Sequence, residues 1–149
     1  MNAVLVVGLG NPLMGDDGVG WHVAERLGGD PRLPAGVEVV RGGTDLLRYA
    51  DRIAESSSAI VIDALLDEGE PGAVSVFDDA LGRLENRQDD VHCLSAVQAI
   101  QLLRLTVSAP IRLLGISVRG TTVEAGLSPG LAARLPAIID RVLAELADP

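Results

Sequence analysis

The stretch Ala3-Val4-Leu5-Val6-Val7-Gly8-Leu9-Gly10-Asn11-Pro12-Leu13-Met14-Gly15-Asp16-Asp17-Gly18-Val19-Gly20 decides the fold class. Ala3 to Gly8 is an unbroken, Val-rich apolar run, the pattern of a strand buried on both faces. Gly8, Gly10, Asn11 and Pro12 then break it. From Gly18 to Leu27 the apolar period becomes helical, with Val19, Val23 and Leu27 on one face. Asp16 or Asp17 stands where a helix cap belongs.

The same alternation continues outward. Val37–Val40 reads as a second strand, stopped by Gly42 and Gly43, and Thr44 is placed to cap a helix reaching Ile53. Ala59–Ile62 is a third apolar strand ending on Asp63. Gly69-Glu70-Pro71-Gly72 is a turn, and Ala73–Phe77 a fourth strand nearer an edge. His92 to Leu105 has helical spacing in Leu94, Val97, Ile100 and Leu103. Ile111–Val118 is a further strand. Ser128-Pro129 supplies a cap and first turn. Leu131, Leu135, Ile139, Val142 and Leu146 follow as an amphipathic stripe. Pro136 inside that stripe predicts a kink or a restarted helix. Strands alternating with helices imply an α/β fold, with a mostly parallel sheet flanked by helices on both faces.

Length and composition agree. A chain of 149 residues with 48% hydrophobic content suits one domain, residues 1–149, with one aliphatic core. The net charge of −9 argues against a nucleic-acid partner, since phosphate binding needs a basic face. Cys93 is the sole cysteine, so no internal disulfide is possible. There is no signal-like N-terminus and no apolar run of about 20 residues to span a bilayer. These features point to a cytoplasmic protein with no membrane association.

The Gly8–Gly20 loop follows a buried strand and opens a helix, and sites in parallel sheets form at strand carboxyl ends. A dinucleotide loop would need glycine at position 13, which is Leu, and would face two carboxylates at the helix entrance. No nucleotide cofactor is expected. Asp16 and Asp17 are open to two readings, a helix cap or a functional pair. Asp63, straight after Ile60-Val61-Ile62, either starts a loop or faces a crevice shared with Asp17; charges avoid burial unless paired or bound to metal. His92 is either an exposed histidine at a helix start or the third member of a ligand set. Two carboxylates and an imidazole leave coordination positions open for water or substrate and suit nickel, zinc, iron or manganese. His22 reads as a surface or partly buried residue, and Cys93 as a small buried one.

At this point the residues resemble a known family. Val6-Val7-Gly8-Leu9-Gly10-Asn11-Pro12-Leu13 through Asp16-Asp17-Gly18-Val19-Gly20 is similar to the N-terminal signature of the hydrogenase maturation proteases. The similarity continues, in order, in Gly42-Gly43-Thr44, Val61-Ile62-Asp63-Ala64, Gly69-Glu70-Pro71-Gly72, His92-Cys93-Leu94 and Gly126-Leu127-Ser128-Pro129. The resemblance implies a single three-layer α/β domain with a twisted sheet between helices. It implies an endopeptidase that removes the C-terminal extension of a nickel–iron hydrogenase large-subunit precursor after nickel insertion. By motif position, Asp17, Asp63 and His92 become the catalytic, metal-contacting residues, and Asp16 a supporting or helix-capping partner. The loop Gly42, Gly43 and Thr44 becomes a substrate contact. Nickel would arrive within the precursor rather than reside in the protease, and no Ser or Cys nucleophile is required.

Two positions depart from the family pattern: Arg41 replaces an acid before Gly42-Gly43-Thr44, and Asp45-Leu46-Leu47 replaces a glycine after it. They bear on partner identity more than on reaction type. The peptidyl-tRNA hydrolases share Val7-Gly8-Leu9-Gly10-Asn11-Pro12 but continue with a basic segment where this chain is acidic. A nickel-sensing or precursor-binding chaperone that does not cut is the alternative of a different class. The expected state is a monomer docking transiently on its precursor.

Overall fold

The computed structural model describes residues 3–78, 91–120 and 122–147, with the side chains of 91–95 outside the description. Five strands form one sheet: β1 (Val4–Leu9), β2 (Val37–Gly43), β3 (Ser58–Leu66), β4 (Val74–Phe77) and β5 (Ile111–Val118). The helices are α1 (Val19–Gly28), α2 (Ala50–Ala54), α3 (Val91–Arg104) and α4 (Pro129–Ala147). The strand order is β2-β1-β3-β5-β4. β2, β1, β3 and β5 are parallel, and β4 runs antiparallel on the edge beside β5. The edge placement of β4 matches its sequence, and Glu70-Pro71-Gly72-Ala73 sets its direction. The Ala73 amide donates to the Glu70 carbonyl at 2.9 Å, with Pro71 and a Gly72 φ of 87° at the central positions. That is a type II turn, which needs glycine at its third position.

Strand side chains alternate between faces, and the alternation sorts the core into two layers. Leu5, Val7, Val61 and Leu113 pack against Ile53 of α2 and Val97, Ile100 and Leu103 of α3. Val6, Ile60, Ile62 and Ile116 pack against Val19, Val23 and Leu27 of α1 and Leu135, Ile139 and Val142 of α4. The sheet is therefore covered on both faces, as the pattern predicts.

Three boundaries differ from expectation, and at a fourth place one of two readings drops out. β3 does not stop before Asp63: Ala64, Leu65 and Leu66 keep pairing with Ile116, Ser117 and Val118, so Asp63 lies inside the strand opposite Gly115. β2 runs on through Gly42 and Gly43, with a register shift against Gly8 and Leu9. Thr44 does not cap the next helix. Asp45 does, its Oδ1 accepting the Leu47 amide at 3.2 Å above a 3-10 turn, Leu46–Tyr49, that leads into the short α2. α4 runs continuously through Pro136 and does not restart there. Among the described residues no helix is long and apolar enough to cross a membrane.

Candidate active site

From the carboxyl end of β1 the chain goes to one side, toward β2, while β3 and β5 lie on the other. Connections that diverge in this way leave a crevice above adjacent strand ends, here between β1 and β3. β1 pairs with β3 only as far as Gly8 with Ile62. Asp63 is the next residue, so it stands where β1 has peeled away. By alternation it shares the face of Val61 and Leu65, the side covered by α3. It is 5% exposed, and its Oδ1 accepts the Ala64 amide at 2.8 Å.

The loop above β1 is built for close approach. A Cβ on Gly8 would lie 2.1 Å from the Gly20 carbonyl oxygen, and one on Gly10 2.2 Å from that of Asp17. Gly10 has a φ of 128° and donates to the Gly43 carbonyl at 2.8 Å, tying the loop to the end of β2. A 3-10 turn, Gly15–Gly18, intervenes before α1 and carries both acids. Neither caps α1, whose N-cap is Gly18 without a side-chain bond, so the capping reading is corrected. Asp17 turns inward to 1% exposure, and its Oδ2 accepts the Asn11 amide at 3.1 Å. Asp16 turns the other way, accepting the Ser128 amide at 2.7 Å and its hydroxyl at 2.8 Å. It thereby secures the start of α4, and Ser128 is a partner that neighbouring sequence does not suggest.

Asp63 opens into a cleft of about 350 Å³. Gly10 and Thr44 border it on one side; Ala96, Ala99 and Leu102 of α3 border it on the other. Of the predicted substrate loop, Thr44 reaches the cleft. Gly42 is buried against Val7, where a Cβ would lie 2.5 Å from Cγ1, and Gly43 supplies the carbonyl that Gly10 binds. The cleft-lining residues of α3 were not singled out in the sequence; small residues at Ala96 and Ala99, one helical turn apart, were the available signal. His92 lies in the first turn of α3, one and two turns before Ala96 and Ala99, and its side chain is outside the described part. Among the described residues no group of three or more metal-ligating side chains converges. Asp17 and Asp63 are oxygen donors of the kind that suits a divalent cation when an imidazole completes the set.

Sequence and structure comparisons complete the picture. A profile of the HycI hydrogenase maturation proteases matches residues 21–145. The chain belongs to the hydrogenase maturation protease family. It is 28% identical over 147 residues to the hydrogenase 2 maturation protease of Escherichia coli, covering 96% of this chain and 90% of that one. The solved structure of the E. coli maturating endopeptidase HybD superposes with a TM-score of 0.84 at 27% identity, over 98% of this chain and 93% of the other. The [NiFe] hydrogenase maturation protease HybD of Thermococcus kodakarensis gives 0.78 at 27% identity, over 98% and 99%. The profile match includes Asp63 and position 92, while Asp17 lies before it; the E. coli alignment extends over nearly the whole chain.

The two departures from the family pattern have local partners. The Arg41 guanidinium lies 5.3 Å from the Trp21 ring centroid and 4.0 Å from Glu25, so it joins the end of β2 to α1. Asp45 both caps the 3-10 turn and borders the cleft. His22 does not line the cleft. Its ring meets Trp21 edge-on at 5.1 Å, and burial lowers its pKa against the opposing pull of Glu25.

Proposed function

We propose that this protein is an endopeptidase that removes the C-terminal extension of a nickel–iron hydrogenase large-subunit precursor, using nickel that the precursor already carries. The observation that carries the reading is the pair of buried acids at the β1/β3 crevice. Asp63 lines an open cleft, and Asp17 is buried in the loop beside β3. Two buried carboxylates at a strand-end crevice are oxygen donors of the kind that a divalent cation brought by the substrate would take.

In this reading Asp17, Asp63 and His92 lend ligands to nickel held by the precursor, and the metal polarises the scissile carbonyl or a water. A carboxylate of the site takes a proton from the attacking water as its oxygen bonds to the carbonyl carbon. The carbon–nitrogen bond then breaks and the leaving amine receives that proton. Cleavage thus waits for metal insertion, so occupancy of the precursor is checked before the extension is lost. The protein acts as a cytoplasmic monomer that docks transiently, without nucleic acid or membrane.

The test is intact-mass measurement of precursor with and without nickel. Loss of a discrete C-terminal peptide only from nickel-loaded precursor, abolished by Asp63→Ala, is the expected result. Tight binding with unchanged precursor mass would instead identify a non-cutting sensor. Cleavage surviving simultaneous loss of Asp17, Asp63 and His92 would overturn the site.

A further inference from the structure

The cleft is longer than two carboxylates and a metal require. It extends from Asp63 along α3 to Leu102, between the helix and the Asp45–Leu47 loop. Positions 96 to 102 span about 9 Å at 1.5 Å per residue, a length that about three residues of extended chain cover. Its floor is small, with Ala96 buried and Ala99 half-buried. Its lips are two large apolar side chains left in solvent, Leu47 at 44% and Leu102 at 54% exposure. Gln98 and Thr44 also border it and can hydrogen-bond a peptide backbone. The charged groups lining it are the carboxylates of Asp45 and Asp63, with no cation among the described lining residues, so an acidic occupant is disfavoured.

We propose that this groove takes a short, extended, apolar segment of the precursor next to its scissile bond, with Leu47 and Leu102 clasping its side chains. The proposal rests on the protease reading, because continuity with Asp63 is what makes the occupant a stretch of substrate. Leu47 and Leu102 are then specificity-determining residues, and they stand on the two walls of the groove, so a segment lying between them loses apolar surface to both.

The test uses the full-length chain and full-length nickel-loaded precursor. Leu102→Glu and Leu47→Glu, both at exposed positions that tolerate a charge in the folded state, are compared with Ala99→Trp, which fills the floor. Each is expected to raise KM about tenfold or more with kcat within about twofold, the signature of lost binding rather than lost chemistry. Asp63→Asn is expected to show the opposite split. Wild-type KM in both glutamate variants would overturn the groove while leaving the protease reading intact. If the wild type does not cleave, precursor binding to the same variants decides independently. Affinity weakened about tenfold by each glutamate supports the groove, and unchanged affinity refutes it.

Discussion

Adding one methyl group at Gly20 tests how the candidate site is held together. Gly20 lies in the first turn of α1, and its missing side chain lets the helix lie on two strand ends at once. A Cβ there would sit 2.3 Å from the Leu9 carbonyl oxygen and 2.4 Å from that of Ile62. Ordinary contact begins near 3.4 Å, so the helix must retreat by about 1 Å. The obstructing atoms are backbone of β1 and β3 and cannot rotate away. Overpacking of this kind costs about 1–3 kcal/mol, and a rigid obstacle points to the upper end. Alanine returns about 1 kcal/mol through helix propensity. The net expectation for Gly20→Ala is a loss of about 2 kcal/mol, or about 4–8 °C in Tm for a chain of this size. Retreat of α1 also carries the Asp17 loop away from Asp63, and a 1 Å misplacement can cost about 100-fold in rate. Thermal unfolding followed by circular dichroism, together with mass-spectrometric cleavage rates, measures both effects. Gly28→Ala is the control, since a Cβ there meets nothing within 4 Å. A Gly20→Ala protein with wild-type Tm and wild-type cleavage would refute the claim that this contact sets the crevice.

Three further outcomes follow from the same geometry. Asp16→Ala removes the acceptor of both Ser128 bonds and should cost about 1–2 kcal/mol in urea unfolding, with a smaller activity loss than Asp17→Ala; a larger activity loss would mean that Asp16 reaches the substrate. Pro136→Ala lies on the exposed side of α4 and restores a missing helical hydrogen bond, so it should raise stability by about 1–3 kcal/mol and leave cleavage unchanged. His22 has its pKa lowered from 6.5 by burial, so the folded state resists protonation. Its contribution to stability is complete above pH 6.5 and is lost as pH falls from there toward the lower folded value. His22→Phe should therefore flatten the stability profile just below pH 6.5, and an unchanged slope there would remove His22 as its source.

What could be read from the sequence depended on how local each cause is. The strand–loop–helix opening was legible because burial on both faces needs nothing but an apolar run, and the glycines mark where backbone approaches backbone. Asp63 stood out as an acid in such a run. Its place inside β3 was not legible, because the strand continues only through pairing with β5, which lies about fifty residues later. The partner of Asp16 was hidden for the same reason: Ser128 is 112 residues away, and the motif containing it reads by itself as a simple cap. Thr44 and Asp45 were confused because adjacent residues are equally good caps by type, and only the path of the chain leaving β2 selects one of them.

That division bears on how the candidate site could evolve. Asp17 is positioned by a glycine loop, Asp63 by strand pairing, and position 92 by a helix packed on the opposite side of the cleft. No single element carries all three candidate positions, so the candidate site depends on the β1/β3 crevice rather than on a local motif. Of the two residues that depart from the resembled pattern, Asp45 borders the cleft and Arg41 is turned toward α1. Arg41 is tied to Trp21 and Glu25, and Asp45 holds the turn that presents Leu47. Changes at Asp45 and Leu47 alter the cleft wall while the strands beneath keep their register. If the Thr44–Leu47 wall sets partner choice, exchanging it between two members of the family should transfer precursor preference without transferring or destroying the chemistry.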